Sequence, residues 1–217
     1  MRKLIVATLV VVCSVSAFGQ TADDLWKELL ADNESFVKGR VVYGSFRSVR
    51  ALTADGQNPP VSILSCADSR VPVELLFQRT VGELFVVRTA GNVEDEFNVA
   101  SLEYAVSKKW TKLIVVMGHS SCGAVEASLK EPEPGKPTPS LYDLIVRIRY
   151  SFMQPEPDLY ARTVDNVCYT AMQLGKWSPT LAGVPIKTAY YDLRTGVVKE
   201  VRCGTMAEAK PFCRLTK

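Results

Sequence analysis

The chain has 217 residues, 47% hydrophobic and 23% charged, with a formal net charge of +3. So small a basic excess points to neither nucleic acid nor an anionic membrane surface, and the length suits one domain that can fold without disulfide staples. No internal repeat or low-complexity tract divides it.

Residues 1–19 read as a signal peptide. Arg2 and Lys3 make a basic start, and Leu4 to Val15 is an apolar run too short for a comfortable membrane span. Ala17-Phe18-Gly19 places small residues at the positions a signal peptidase reads, so cleavage before Gln20 is expected, with Ala17 as the second choice and an uncleaved anchor as the alternative. Val12 before Cys13 is too bulky for a lipoprotein site. Cleavage leaves 24 basic against 23 acidic residues in a single domain, 20–217. The expectation is an exported chain, periplasmic or secreted, with no nucleic-acid partner and no membrane contact after cleavage.

Thr21 to Lys38 reads as an amphipathic helix capped by Asp23 or Thr21, with Leu25, Leu29, Leu30 and Phe36 along its stripe. Arg40 to Asn58 is polar and reads as helix-poor. Pro59-Pro60 ends it and sets up a strand from Val61 to Leu64. Val71 to Phe77 holds a short helix with Pro72 in its first turn. Leu84 to Arg88 is a strand, and Thr89 to Asn92 is its turn. Asp95 caps a helix from Glu96 to Lys109 whose buried face is Phe97, Ala100, Leu102, Ala105 and Val106. Lys112 to Met117 is the next strand. Gly123 opens a helix reaching Lys130, and Glu131 to Pro139 is a loop. Helices follow over Leu141 to Phe152 and Thr163 to Leu174, separated by the break Gln154 to Pro157. Val184 to Asp192 is a strand near the sheet edge, since Pro185 lacks an amide donor, and Val197 to Val201 pairs back on it. Strands alternating with helices argue for an α/β fold with a mostly parallel central sheet flanked by helices, whose sites lie past the carboxyl ends of strands.

Two motifs sit at such ends. Cys66-Ala67-Asp68-Ser69-Arg70 follows the first strand, and His119-Ser120-Ser121-Cys122-Gly123 follows the third; His119 is the only histidine. Two thiols and an imidazole are the mixed donor set that zinc prefers. Three ligands suit a catalytic zinc with one open position, although another Cys or a carboxylate could close the site. Asp68 and Arg70 alternate with Cys66, so on an extended segment all three point one way. A carboxylate beside a metal can accept a hydrogen bond from a bound water, and an adjacent arginine keeps it ionised and oriented.

Cys66-x-Asp68-x-Arg70 with His119-x-x-Cys122 resembles the β-class carbonic anhydrases. Ala54 to Pro59 is similar to the segment carrying that family's active-site glutamine, here Gln57, nine residues before Cys66. Gly82 to Arg88 resembles the strand of its pocket phenylalanine, here Phe85, followed by Ala90-Gly91-Asn92. Leu102 to Val106 resembles the helix of its pocket tyrosine, here Tyr104, fifteen residues before His119. Likeness extends through Asn33-x-x-Phe36 to the hairpin Tyr191-Asp192-x-x-Thr195-Gly196.

The resemblance implies reversible hydration of carbon dioxide to bicarbonate and a proton by a zinc-bound hydroxide, with one Zn2+ per chain on Cys66, His119 and Cys122. It implies that Asp68 orients the nucleophile and that Arg70 restrains Asp68, which becomes a fourth ligand only in a closed form. Gln57 would donate to a substrate oxygen. Phe85, Ala90, Tyr104 and Gly123 would line the pocket. In the family the counterparts of Gln57, Phe85 and Tyr104 come from a neighbouring subunit, so the expected partners are carbon dioxide or bicarbonate and further copies in a homodimer or larger homo-oligomer. The presence of Gln57 points to the open type. Alternatives are a hydrolase of COS or CS2 on the same fold, a non-catalytic zinc or bicarbonate binder, and a redox protein using Cys66 and Cys122. Of the other cysteines, Cys203 and Cys213 are expected to pair in an oxidising compartment, leaving Cys168 as a buried thiol.

Overall fold

The computed structural model describes residues 19–40, 46–130, 138–152 and 158–203. The expected signal segment up to residue 18, Cys213, most of the loop from Glu131 and the break at Gln154 to Pro157 lie outside the described residues.

Five strands form one sheet: β1 (Val61–Ser65), β2 (Leu84–Arg88), β3 (Leu113–His119), β4 (Ile186–Tyr191) and β5 (Val198–Glu200). Their order is β2-β1-β3-β4-β5; the first four are parallel and β5 is antiparallel to β4. The helices are α1 (Ala22–Val37), α2 (Phe46–Thr53), α3 (Val73–Leu76), α4 (Glu96–Ser107), α5 (Gly123–Ser128), α6 (Pro139–Tyr150), α7 (Leu159–Trp177) and α8 (Pro179–Ala182).

The two-residue alternation of a strand sorts the core into two layers. Ile63, Leu113, Val115 and Met117 face Leu25, Trp26 and Leu29 of α1 and Val73 and Leu76 of α3. Leu64, Ile114 and Val116 face Val99 and Leu102 of α4, Val167 and Leu174 of α7 and Leu181 of α8. β3 is buried along its whole length because both faces are covered.

Several local signals behave as the residues suggest. Thr21, not Asp23, caps α1: its hydroxyl accepts the Asp24 N–H, and the Asp24 carboxylate accepts the Thr21 N–H. Asp95 caps α4 by accepting the Asn98 N–H. The strand after Pro185 lies one position in from the sheet edge, and the proline stays outside the ladder, where its carbonyl accepts the Ile114 N–H.

Three expectations are corrected. The stretch expected to be helix-poor contains α2, whose residues 46–53 hold no glycine; Gly56 follows the helix instead of interrupting it. On α4 the buried residues are Asn98, Val99, Leu102 and Ala105, while Phe97 is 78% exposed and Ala100 is exposed. The cap sets that phase: Asn98 is drawn inward because its amide also donates to the Asp95 carboxylate and the Val93 carbonyl.

The third correction concerns the disulfide, which joins Cys168 to Cys203 with Cα atoms 5.4 Å apart. α7 packs against β4, and the Val201 N–H bonds to the Thr188 carbonyl, so the chain leaving β5 passes over Cys168. The bond spans 35 residues of sequence, a loop whose closure entropy is worth roughly 3–4 kcal/mol. Urea unfolding of the Cys168→Ala/Cys203→Ala double variant should show stability lower by about that amount. An unchanged midpoint would show that the bond staples nothing.

Candidate metal centre

β1 and β3 pair in parallel with Ser65 opposite Met117. The residue after β1 and the last residue of β3 therefore emerge side by side at the carboxyl end of the sheet. Those residues are Cys66 and His119. The chain then turns through Ser120 and Ser121, the latter at φ 51, and places Cys122 as the N-cap of α5. A positive φ strains a residue with a side chain, and here it redirects the chain toward the first motif.

The three donor atoms lie within 4.8 Å of one another, and Cys66, His119 and Cys122 are all buried. The two sulfurs are 4.0 Å apart. Two sulfurs on a tetrahedral zinc, each at about 2.3 Å, stand about 3.8 Å from one another. His119 Nδ1 lies 2.9 Å from the Ser120 carbonyl, which can only accept, so the proton sits on Nδ1. That leaves the Nε2 lone pair buried without a partner among the described residues. A buried unpaired nitrogen aimed between two thiols fits a soft or borderline cation such as zinc.

The two thiols are in conflict without one. Hydrogen bonding from Cys122, and from the Asp68 and Gly91 N–H groups, pulls the Cys66 thiol well down toward ionisation against the opposing effect of burial. The Cys66 sulfur and burial push Cys122 the other way. Two adjacent buried thiolates need a cation to coexist.

Asp68 sits at the rim. Its Oδ1 accepts from the Arg70 N–H and Nε, each at 2.9 Å, and its Oδ2 accepts from Arg70 Nη2 at 2.7 Å. Arg70 Nη2 also donates to the Ser121 carbonyl at 3.2 Å, joining the two motifs. The Arg70 hydrogen bonds hold the Asp68 carboxyl well below the usual carboxylate range. Asp68 Oδ2 is 3.8 Å from His119 Nε2, so an ionised acceptor borders the metal position while Arg70 restrains it.

Two contributors went unassigned in the sequence reading. Arg88, at the end of β2, donates from Nε to the Cys66 carbonyl at 3.1 Å and from Nη2 to the Asp68 carbonyl at 2.7 Å. A charge at the end of an otherwise apolar strand was its only signal. The Gly91 N–H donates to Cys66 Sγ at 3.3 Å and the Asp68 N–H does so at 3.4 Å.

The structure gathers Cys66, Asp68, Arg70, His119 and Cys122, with Ala90 and Gly123 adjoining. It does not bring in Gln57, Phe85 and Tyr104. Phe85 is opposite Ser62, at the amino end of the sheet. Gln57 precedes β1 by a few residues, and five residues of strand separate Val61 from Cys66, about 17 Å. Tyr104 lies near the end of α4, edge-on to Trp110 at 5.6 Å. The Trp110 turn leads into Thr111, whose hydroxyl meets that of Ser62. All three residues thus cluster at the end opposite the metal ligands.

The Asp68–Arg70 pair predicts a pH signature in the metal-free chain. Arg70→Ala should return Asp68 toward the ordinary value of about 3.9, readable by NMR titration. A depressed folded pKa contributes stability above the ordinary carboxylate range and loses it as pH falls through the depressed value. The stability gap between parent and variant should be widest near neutral pH and close in acid; a gap that widens in acid would contradict the pairing.

Residues 61–198 match the carbonic anhydrase family. Carbonic anhydrase 2 of Mycobacterium tuberculosis (strain CDC 1551 / Oshkosh) is 44% identical over 140 residues, 63% of this chain and 67% of that one. The β-carbonic anhydrase of Coccomyxa, solved in complex with acetazolamide, superposes with a TM-score of 0.61 at 26% identity, covering 83% of each chain. A tetrameric β-carbonic anhydrase of the ascomycete Sordaria macrospora gives a TM-score of 0.63 at 23% identity, covering 84% of this chain and 99% of that one. With that sequence match and a fold shared across both structures, the chain belongs to the β-class carbonic anhydrase family.

Proposed function

We propose that this carbonic anhydrase hydrates carbon dioxide reversibly to bicarbonate and a proton at a zinc ion held by Cys66, His119 and Cys122. The observation that carries the reading is the ionised Asp68 carboxylate, restrained by Arg70 at 3.8 Å from His119 Nε2. When bound, zinc supplies a water acidic enough to act as nucleophile near neutral pH.

The protein's part is orientation. Asp68 accepts a hydrogen bond from the nucleophile and so aims its lone pair at carbon dioxide. Arg70 occupies both Asp68 oxygens, keeping that carboxylate an acceptor and off the metal, which supports an open site. Arg88 clamps the Cys66 and Asp68 carbonyls, so ligand and acceptor keep their spacing. Ala90 and Gly123 present small surfaces beside the metal, leaving room for a small apolar substrate.

Gln57, Phe85 and Tyr104 belong to the same chemistry through a second copy. Their shared position at the far end of the sheet supports a site completed by a neighbouring subunit, in a homodimer or larger homo-oligomer. Exposed Phe46, Leu52, Phe97 and Tyr104 supply apolar surface for that contact. The Sordaria relative is tetrameric, in keeping with this assembly. Export to an oxidising compartment is also proposed, supported by the Cys168–Cys203 bond.

Stopped-flow carbon dioxide hydration on the zinc-loaded chain, at about pH 7 and about pH 8.5, should show activity at both, abolished by Cys66→Ser. Activity only at the higher pH would mean that Asp68 closes the site. None at either, with zinc bound, would end the hydration reading and turn attention to COS or CS2.

The shared site has its own test. Cys66→Ser and Gln57→Ala chains, each poorly active, are unfolded together and refolded as a mixture. Mixed dimers should regain activity, because one of their two sites is intact. No recovery, despite mixed assembly, would place Gln57 in its own chain's site.

A further inference from the structure

We propose that Asn166 is a positioning residue for the metal centre: its buried amide holds Gly91 so that the Gly91 N–H is aimed at the Cys66 sulfur. The inference rests on the metal reading above.

Asn166 lies on α7, 1% exposed, and none of the sequence motifs includes it. Its Nδ2 donates to the Gly91 carbonyl at 2.6 Å. The N–H of the same Gly91 donates to Cys66 Sγ at 3.3 Å. One residue therefore has its acceptor held by α7 and its donor spent on a metal ligand.

The turn is built for a residue without a side chain. Gly91 has φ +68, and a Cβ there would stand 2.5 Å from Ile148 Cδ1 of α6. Helix α6 closes on one side of the turn while α7 holds its carbonyl. One helical turn beyond Asn166, Thr170 donates to the Glu94 carboxylate at 3.1 Å, so α7 grips the segment after β2 at two points.

An N–H bond to a thiolate sulfur draws electron density from it. The bond stabilises the ionised sulfur, the form that binds a cation, and fixes where that sulfur points. Without the Asn166 amide, the Gly91 carbonyl would be a buried acceptor lacking this donor, and its turn would be free to rotate the N–H away from sulfur. Asn166 thereby acts on the metal through Gly91 and Cys66 without touching either metal or substrate.

The test uses the full chain loaded with cadmium-113, which binds thiolates and is visible by NMR. In the parent, the Gly91 amide proton should couple to cadmium through the sulfur, and the Asn166 side-chain nitrogen should couple to the Gly91 carbonyl carbon. Asn166→Ala should lose the first coupling and bind cadmium roughly 10- to 100-fold more weakly in chelator competition. Leu174→Ala, a core change on the same helix, should lower thermal stability yet keep both. If cadmium binds the parent but either coupling is missing, the inference fails, and that outcome needs no variant to fold. Asn166→Ala with parental affinity and coupling would equally overturn it. A parent that takes up no cadmium would sink the metal reading itself.

Discussion

Two buried sulfurs 4.0 Å apart, with an unpaired imidazole nitrogen beside them, set the constraint on which this structure depends. Each thiol stabilises charge on the other only while it keeps its own proton. Desolvation penalises a second negative charge heavily. A divalent cation resolves the conflict, and the surrounding backbone is arranged around its place.

That arrangement is a set of hydrogen bonds with divided tasks. Backbone N–H groups of Asp68 and Gly91 serve the Cys66 sulfur. Side chains serve the loop: Arg88 holds the carbonyls of Cys66 and Asp68, while Arg70 ties the Asp68 carboxylate to the Ser121 carbonyl of the second motif. The two ligand loops are therefore joined directly as well as through the sheet. Charge-assisted bonds of this kind give rigid orientation as well as energy, which a site built on two separate strand ends requires.

The sheet supplies the frame. Parallel pairing of β1 with β3 brings two strand ends together, and burial on both faces leaves the register little room to slip. The same parallelism carries Gln57 and Phe85 to the other end. A single copy thus separates Gln57 and Phe85 from the cluster of Cys66, His119 and Cys122, and the proposed second copy would reunite them.

Much of this was determined by the sequence alone. Apolar runs of strand length, ended by Cys66 and by His119, specify buried parallel strands with polar groups at their carboxyl ends. The sequence marked Cys66, Asp68 and Arg70 as one group, but a turn at Ser69 and Arg70, not an extended segment, brings Arg70 onto Asp68. Cap residues Thr21 and Asp95 were legible because their bonds are local. What only the tertiary structure decided depends on distant chain segments. The partner of Cys203 is Cys168, because the exit of β5 crosses α7, a juxtaposition that no spacing encodes. The phase of α4 followed the buried bonds of Asn98 and not the hydrophobicity of Phe97. Arg88 and Asn166 act through backbone carbonyls, and any residue type presents a carbonyl, so sequence carries no mark of the acceptor until the fold brings it within reach.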